Sequence, residues 1–351
     1  MALARLAVEG FRNLATQEVE FAPGTNYLFG PNGSGKTNLL EAVHYLAIGR
    51  SFRHAQDRDL LTFGSGLLAV SGSDDEGNTA EIRYDGREKR VLLNGSRVAR
   101  LSDFLGWLPV IVLLLEDVVL VRGAPVQRRL FLDMAIAKVE RRYIAALSGY
   151  RRVLMQRNRL LEQHADTASH DAWEEELVRT GLPIIERRRQ VVGRLLGGAE
   201  EYCRRLGGPE VAIDYQPSVA GDGDPAVVFR EQLRRTRRQS IELGFTVVGP
   251  HRDDIAFCRG GRDLRRFGSV GEQRLAAVAL RLAEADVVAA GRGRKPVFLL
   301  DEVASELDEA RSGRVFELVV ERGQSVYAAA RRFDVDGREF HVEAGKVTAA
   351  A

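Results

Sequence analysis

The chain has 351 residues, 45% hydrophobic and 28% charged, with a formal net charge of +2. That length exceeds what one small core organises, and the balance of apolar and charged residues excludes a disordered chain. The small net charge excludes a uniformly basic surface, so any nucleic-acid-binding face is local and offset by acids elsewhere.

In chain order, residues 2–29 read as strand, turn, strand. Leu3, Leu6 and Val8 precede a turn at Gly10, Val19 and Phe21 alternate, and Tyr27, Leu28 and Phe29 lead into a glycine-rich loop. After Gly35 the pattern becomes helical, with Leu39, Leu40, Val43, Leu46 and Ala47 on one face. Residues 66–98 read as a meander of short strands with turn chemistry at 74–78 and at Asn94-Gly95. The apolar run 108–115 suits a buried strand. One long helix is predicted over 126–163. A second is predicted over 173–206, interrupted by Gly181 and Pro183. The two would form an antiparallel hairpin, too short for a long coiled-coil arm. A loop over 217–225, a charged stretch and a glycine-rich segment from Gly244 follow. Then come a helix over 271–289, a strand over 296–300, a helix over 308–321, a last strand and a short β tail.

No run of 18 apolar residues is present, and the first residues lack a signal-peptide pattern, so a cytoplasmic protein without a membrane partner is expected. Cys203 and Cys258 stand far apart without a metal-binding spacing, which suits a reducing compartment. Only five of the 51 basic residues are lysines, so Lys36 occupies a position where few lysines stand.

Gly30-Pro31-Asn32-Gly33-Ser34-Gly35-Lys36-Thr37 follows a strand and opens a helix, the context a phosphate-binding loop requires. Its glycines let backbone N–H groups turn toward phosphate oxygens, and the helix adds its positive end. Lys36 would bridge the terminal phosphates and the Thr37 hydroxyl would ligate Mg²⁺, which makes ATP with Mg²⁺ the expected cofactor. Val297-Phe298-Leu299-Leu300-Asp301-Glu302 is an apolar strand ending in two acids. That pattern delivers Asp301 to the metal and sets Glu302 to polarise the attacking water. Between these motifs lies Ser269-Val270-Gly271-Glu272-Gln273, and after the acids Ser305-Glu306-Leu307-Asp308.

The order of phosphate loop, helical insert, S-x-G-x-Q, acidic strand and S-x-L-D resembles the ABC-type ATPases. Phe11-Arg12-Asn13, Gly49-Arg50-Ser51-Phe52-Arg53, Gln127-Arg128-Arg129-Leu130-Phe131-Leu132-Asp133 and Val248-Gly249-Pro250-His251-Arg252-Asp253-Asp254 narrow the resemblance to the RecF family over nearly the whole chain. The resemblance implies an α/β fold: a P-loop ABC-type ATPase head over 1–120 and 245–351, with an inserted α-helical lobe over 121–244. It implies that Ser269 and Gly271 reach the γ-phosphate held by a partner subunit, and that a head-to-tail homodimer forms with ATP. It further implies that Asp308 serves the contact between sites and that Arg12 approaches the nucleotide. The implied activity is slow, DNA-stimulated ATP hydrolysis on duplex or gapped DNA, independent of base sequence. The implied partners are RecR and RecO, assisting RecA loading in recombinational repair, replication restart and the SOS response. An SMC-like or other ABC-type ATPase acting as a DNA clamp with incidental hydrolysis is the alternative. A transporter ATPase is disfavoured by the R-R-x-F-L-D and G-P-H-R-D-D segments.

Two departures stand out. Val270 replaces a commonly polar signature residue, and Tyr327-Ala328-Ala329-Ala330 stands where a γ-phosphate sensor is usual, so no sensor residue is assigned there. The clusters Arg187-Arg188-Arg189, Arg234-Arg235, Arg237-Arg238, Arg151-Arg152 and Arg157 suit either duplex phosphates or solvated helix faces paired with acids.

Overall fold

The computed structural model describes residues 2–163, 167–303, 307–328 and 336–350. Strands β1 (Leu3–Glu9), β2 (Gln17–Glu20) and β3 (Thr25–Phe29) precede helix α1 (Lys36–Ile48) and the short α2 (Asp57–Leu60). The expected meander follows as β4 (Leu68–Asp74), β5 (Thr79–Tyr84), β6 (Lys89–Leu93) and β7 (Ser96–Arg97). Next come α3 (Leu101–Phe104), β8 (Val110–Leu114), α4 (Val119–Arg122), α5 (Pro125–Val139), α6 (Arg142–Glu162) and α7 (Thr167–Arg205). The chain continues through β9 (Ala212–Gln216), α8 (Pro225–Leu243), β10 (Asp254–Arg259), β11 (Arg262–Asp263), α9 (Leu264–Phe267) and α10 (Val270–Arg292). It ends with β12 (Val297–Asp301), α11 (Glu309–Val320), β13 (Ser325–Ala328), β14 (Arg338–Glu343) and β15 (Lys346–Ala349). Among the described residues, no helix is long and apolar enough to cross a membrane.

The central sheet has the order β15-β14-β3-β13-β12-β8, parallel from β14 to β8. Both of its faces are buried, which explains why its strands read as unbroken apolar runs. In β12, Val297 and Leu299 face one core while Phe298 and Leu300 face the other. One core lies between this sheet and the antiparallel sheet β2-β1-β4-β5-β6-β7, with α1 inside it. The second core joins the opposite face to α5, α6, α7 and α10 and to the small sheet β11-β10-β9.

Helices α6 and α7 run antiparallel: Tyr143 meets Arg188, Tyr150 packs at Gly181, and Arg157 bonds Glu174. Two departures from the sequence reading concern this hairpin. The predicted helix over 126–163 is two helices, because Glu140 takes an extended backbone (φ −127°, ψ 104°). Gly181 and Pro183 do not interrupt α7, which passes through both. A proline inside a helix costs about 3 kcal/mol, and the burial of Leu177, Ile184, Ile185, Val191 and Leu195 offsets it.

The two segments most particular to this sequence, 127–133 and 248–254, interlock. Arg128 grips Asp254 with two bonds (2.6 and 3.0 Å), and Arg129 donates to the Asp253 carbonyl at 2.9 Å. Arg188, only 2% exposed, spans Asp133 (2.7 Å) and Asp253 (2.6 Å). Tyr143 donates to Asp133 at 2.7 Å, and Tyr215 donates to Asp253. These groups fasten α5 and α7 to the start of β10.

A buried ion pair that loses one partner leaves the other charge uncompensated. Arg188→Met should therefore lower folding stability by about 3–5 kcal/mol. Chemical denaturation of wild type and variant checks this, and equal midpoints would remove the network as a fastening.

Candidate nucleotide site

The loop leaves the carboxyl end of β3, where ligands gather in parallel sheets. Strand β13 lies between β3 and β12, and the register aligns Leu28 with Ala328 and Ala328 with Asp301. Two strand spacings separate β3 from β12, roughly 9–10 Å. The first turn of α1 closes that gap: the Thr37 hydroxyl donates to Asp301 Oδ1 at 2.9 Å.

Close packing shapes the loop. A Cβ on Gly30 would lie 2.0 Å from the Val342 carbonyl oxygen. Gly35 caps α1 at φ +116°, where a side chain would also press on Asn13 and Leu14 at 3.1 Å. Lys36 is buried and donates to the carbonyls of Gly30 (2.7 Å) and Pro31 (2.9 Å). The Ser34 hydroxyl is buried with no hydrogen-bond partner among the described residues. Among the described residues the buried ammonium is held by loop carbonyls alone; that ammonium and the orphaned hydroxyl fit a phosphate chain. Thr37 and Asp301 supply the oxygen pair that Mg²⁺ takes.

Burial pushes the Asp301 carboxyl up to about 6; the Thr37 hydroxyl and Arg53 oppose this, while Glu302 and Glu116 add to it. Glu302 sits at φ +52°, a left-handed backbone that costs a non-glycine residue roughly 1 kcal/mol or more. Its N–H donates to the Ala328 carbonyl at 3.0 Å, turning the chain sharply after Asp301.

The structure thus brings Gly30, Pro31, Asn32, Gly33, Ser34, Gly35, Lys36 and Thr37 beside Asp301 and Glu302. It does not bring Ser269, Gly271 or Asp308 there by any of their hydrogen bonds among the described residues. Ser269 is exposed and caps α10: its hydroxyl accepts from the Glu272 N–H at 3.3 Å, and the Ser269 N–H donates to the Glu272 carboxylate at 2.8 Å. Gly271 lies in the first turn of α10 and Asp308 caps α11, accepting from the Arg311 N–H at 2.9 Å. Gln273 is structural: buried, it donates to the Leu264 carbonyl at 2.8 Å. Ser305 and the Ala329-Ala330 pair lie outside the described residues.

Arg12 is tied down beside the loop. Its Nε and Nη2 donate to the two oxygens of Glu41 at 3.0 and 3.1 Å. Ser51 donates to Glu41 at 2.5 Å, and Arg53 lies 3.7 Å from it. Arg53 also donates to Asn38 (3.0 Å), Asn38 to Asn13 (2.7 Å), and Asn13 to the Gly33 carbonyl (3.1 Å). Sequence reasoning named Arg12 but missed Glu41, Asn38 and Arg53. The signal was present in the Phe11-Arg12-Asn13 and Gly49-to-Arg53 segments, which lacked only the shared acid.

Of the arginines considered for DNA, Arg157 and Arg188 are fully buried, and Arg237 is held by Asp171 and by Glu174 at 2.6 Å. Arg187 bonds Glu140 at 2.7 Å. Arg151, Arg152, Arg189, Arg234 and Arg235 remain exposed.

A phosphate loop on a parallel sheet, with an acid from a strand two positions away and a capped signature helix, defines an ABC-type ATPase head. The model of the "RecF/RecN/SMC N terminal domain" family matches residues 2–330. The chain is 40% identical to the DNA replication and repair protein RecF of Moorella thermoacetica, over 93% of this chain and 89% of that protein. It is 36% identical to that of Symbiobacterium thermophilum, over 99% and 98%. A solved structure of the recombination mediator protein RecF with ATP superposes with a TM-score of 0.90 at 29% identity, covering 100% of this chain and 98% of the other. An Smc head bound to the C-terminal winged helix of ScpA shares the fold at TM-score 0.58 and 19% identity, covering 100% and 98%. This chain belongs to the RecF family.

The raised Asp301 carboxyl has a stability consequence without metal. In the unfolded chain it releases its proton near 4, and in the folded chain near 6. The folded state therefore loses stability as pH rises through that window, by up to about 3 kcal/mol. Asp301→Asn should make the metal-free protein more stable than wild type at pH 7.5, with the difference vanishing near pH 4. Denaturant titrations with chelator at both pH values read this, and a gap independent of pH would contradict it.

Proposed function

We propose that this chain is an ATP-dependent DNA-binding protein of recombinational repair, in which ATP drives head-to-tail dimerisation on duplex or gapped DNA and slow hydrolysis releases it. The observation that carries the proposal is the Thr37–Asp301 contact beside a buried Lys36, in a chain whose relatives are DNA replication and repair proteins. The RecFOR pathway of the structural relatives supports RecR and RecO as partners, with RecA loading as the downstream step.

In this reading Lys36 exchanges the carbonyls of Gly30 and Pro31 for phosphate oxygens, and the loop amides and Ser34 hold the same chain. Thr37 and Asp301 would hold Mg²⁺. The Mg²⁺–ATP complex supplies the phosphoanhydride whose cleavage resets the switch. Glu302, set by its left-handed backbone, orients water and accepts its proton. Ser269 and Gly271, exposed or partly exposed at the start of α10, complete the partner's site, and Asp308 serves the contact between the two. Exposed arginines on α6, α7 and α8, Arg151, Arg152, Arg189, Arg234 and Arg235 among them, suit a duplex backbone met without base readout.

A site completed in trans makes hydrolysis depend on dimerisation. ATPase rate per protein should rise with concentration through the dimerisation range, vanish in Lys36→Met, and leave Glu302→Gln accumulating as an ATP-bound dimer by light scattering. A rate strictly proportional to protein would remove the trans role of Ser269. A Glu302→Gln chain that behaves like wild type would favour a passive clamp.

A further inference from the structure

A carboxylate without solvent contact is costly unless several donors surround it. Glu41, on the second turn of α1, is 0% exposed and takes Arg12, Ser51 and Arg53 together. Its arginines are more open than those paired with the other buried acids, of which Arg237 and Arg281 reach only 18% and 19%. Arg157 and Arg188 are buried along with their acids, as a fastening requires. Arg12 and Arg53 instead keep 24% and 42% of their side chains open, beside the phosphate loop. The acid is hidden and the cations face outward.

The same contacts close a circuit. Arg12 and Asn13 are neighbours in sequence; Asn13 holds the Gly33 carbonyl in the loop and accepts from Asn38, and Asn38 accepts from Arg53. Arg12 stands at φ +53°, its guanidinium on Glu41 and the next side chain, Asn13, on the loop. Arg53 also acts electrostatically on the Asp301 carboxyl across the site.

We propose that Glu41 is a positioning residue of the nucleotide site: its buried charge fixes Arg12 and Arg53 at the rim of the phosphate loop and, through Asn38 and Asn13, holds the Gly33 carbonyl. It touches no phosphate itself. The proposal rests on the reading that residues 30–37 bind ATP. It adds that the loop's shape is set from outside, by an acid on the helix the loop opens.

Glu41→Gln tests this, because it keeps the size but removes the charge and turns an NH₂ group toward the arginines. Titration of full-length protein with a fluorescent ATP analogue and Mg²⁺ separates position from folding. A merely unstable chain loses binding stoichiometry, whereas a mispositioned site loses affinity at one nucleotide per chain. We expect affinity to fall about tenfold or more at unchanged stoichiometry. A folded Glu41→Gln chain that binds within twofold of wild type overturns the proposal.

If Glu41→Gln fails to fold, the surface members of the circuit decide. Asn13 is exposed and Arg53 half-exposed, so Asn13→Ala and Arg53→Ala should fold. Acting through one circuit, their losses should be non-additive, the double variant binding about threefold or more tighter than the product of the single effects implies. Additive losses, or none, overturn the proposal. A wild-type chain that binds no ATP overturns the loop reading and this proposal together. A wild type that binds with variants unaffected overturns this one alone.

Discussion

The contact from Thr37 to Asp301 joins the two ends of the site, and it exists only because of how the parallel sheet is built. The hydroxyl comes from the first turn after a loop, the carboxylate from a strand two places away. The register of β3, β13 and β12 must hold for them to meet. That register is held by burial on both faces: Tyr27, Phe298 and Tyr327 are locked into one core, Leu28, Leu299 and Val326 into the other. A one-residue slip in any strand would exchange the faces and carry the acid away from the loop.

Around this contact the protein uses buried charge in two ways. Between α5, α7 and β10 the acids and arginines are buried together and act as a fastening. At the loop the acid Glu41 is buried and its arginines are not. The arginine-rich composition is thus divided among structural ties, site architecture and an open remainder. Only the open remainder is available for a nucleic-acid backbone, which is why the composition alone said so little about DNA.

Much of the site was legible because phosphate binding constrains sequence tightly. A glycine where a Cβ would strike backbone, two more at positive φ, a lysine, a hydroxyl residue and a strand ending in acids leave few alternatives. The meander and the buried strands were legible from alternation and turn residues. Misreadings arose where tertiary packing overrode local preference: Pro183 sits inside α7, and an apolar pattern that looks continuous breaks at Glu140. Helix α8 and strands β9 to β11 were missed. Asp224-Pro225 at the start of α8 and Gly244 at its end are ordinary cap signals, but few of its residues are apolar, and a charged stretch hid the pattern. The Glu41 circuit joins segments of which each carries one or two partners, so no single window of sequence shows it.

The central claim is that nucleotide held at this loop gates DNA binding. Fluorescence anisotropy of labelled gapped duplex, intact duplex and single strand, with and without ATP and Mg²⁺, tests it most directly. Duplex-containing DNA should bind tightly only with nucleotide, and the Lys36→Met chain should lose that gain. Binding that is equal with and without ATP, or absent from all three DNAs, would contradict it.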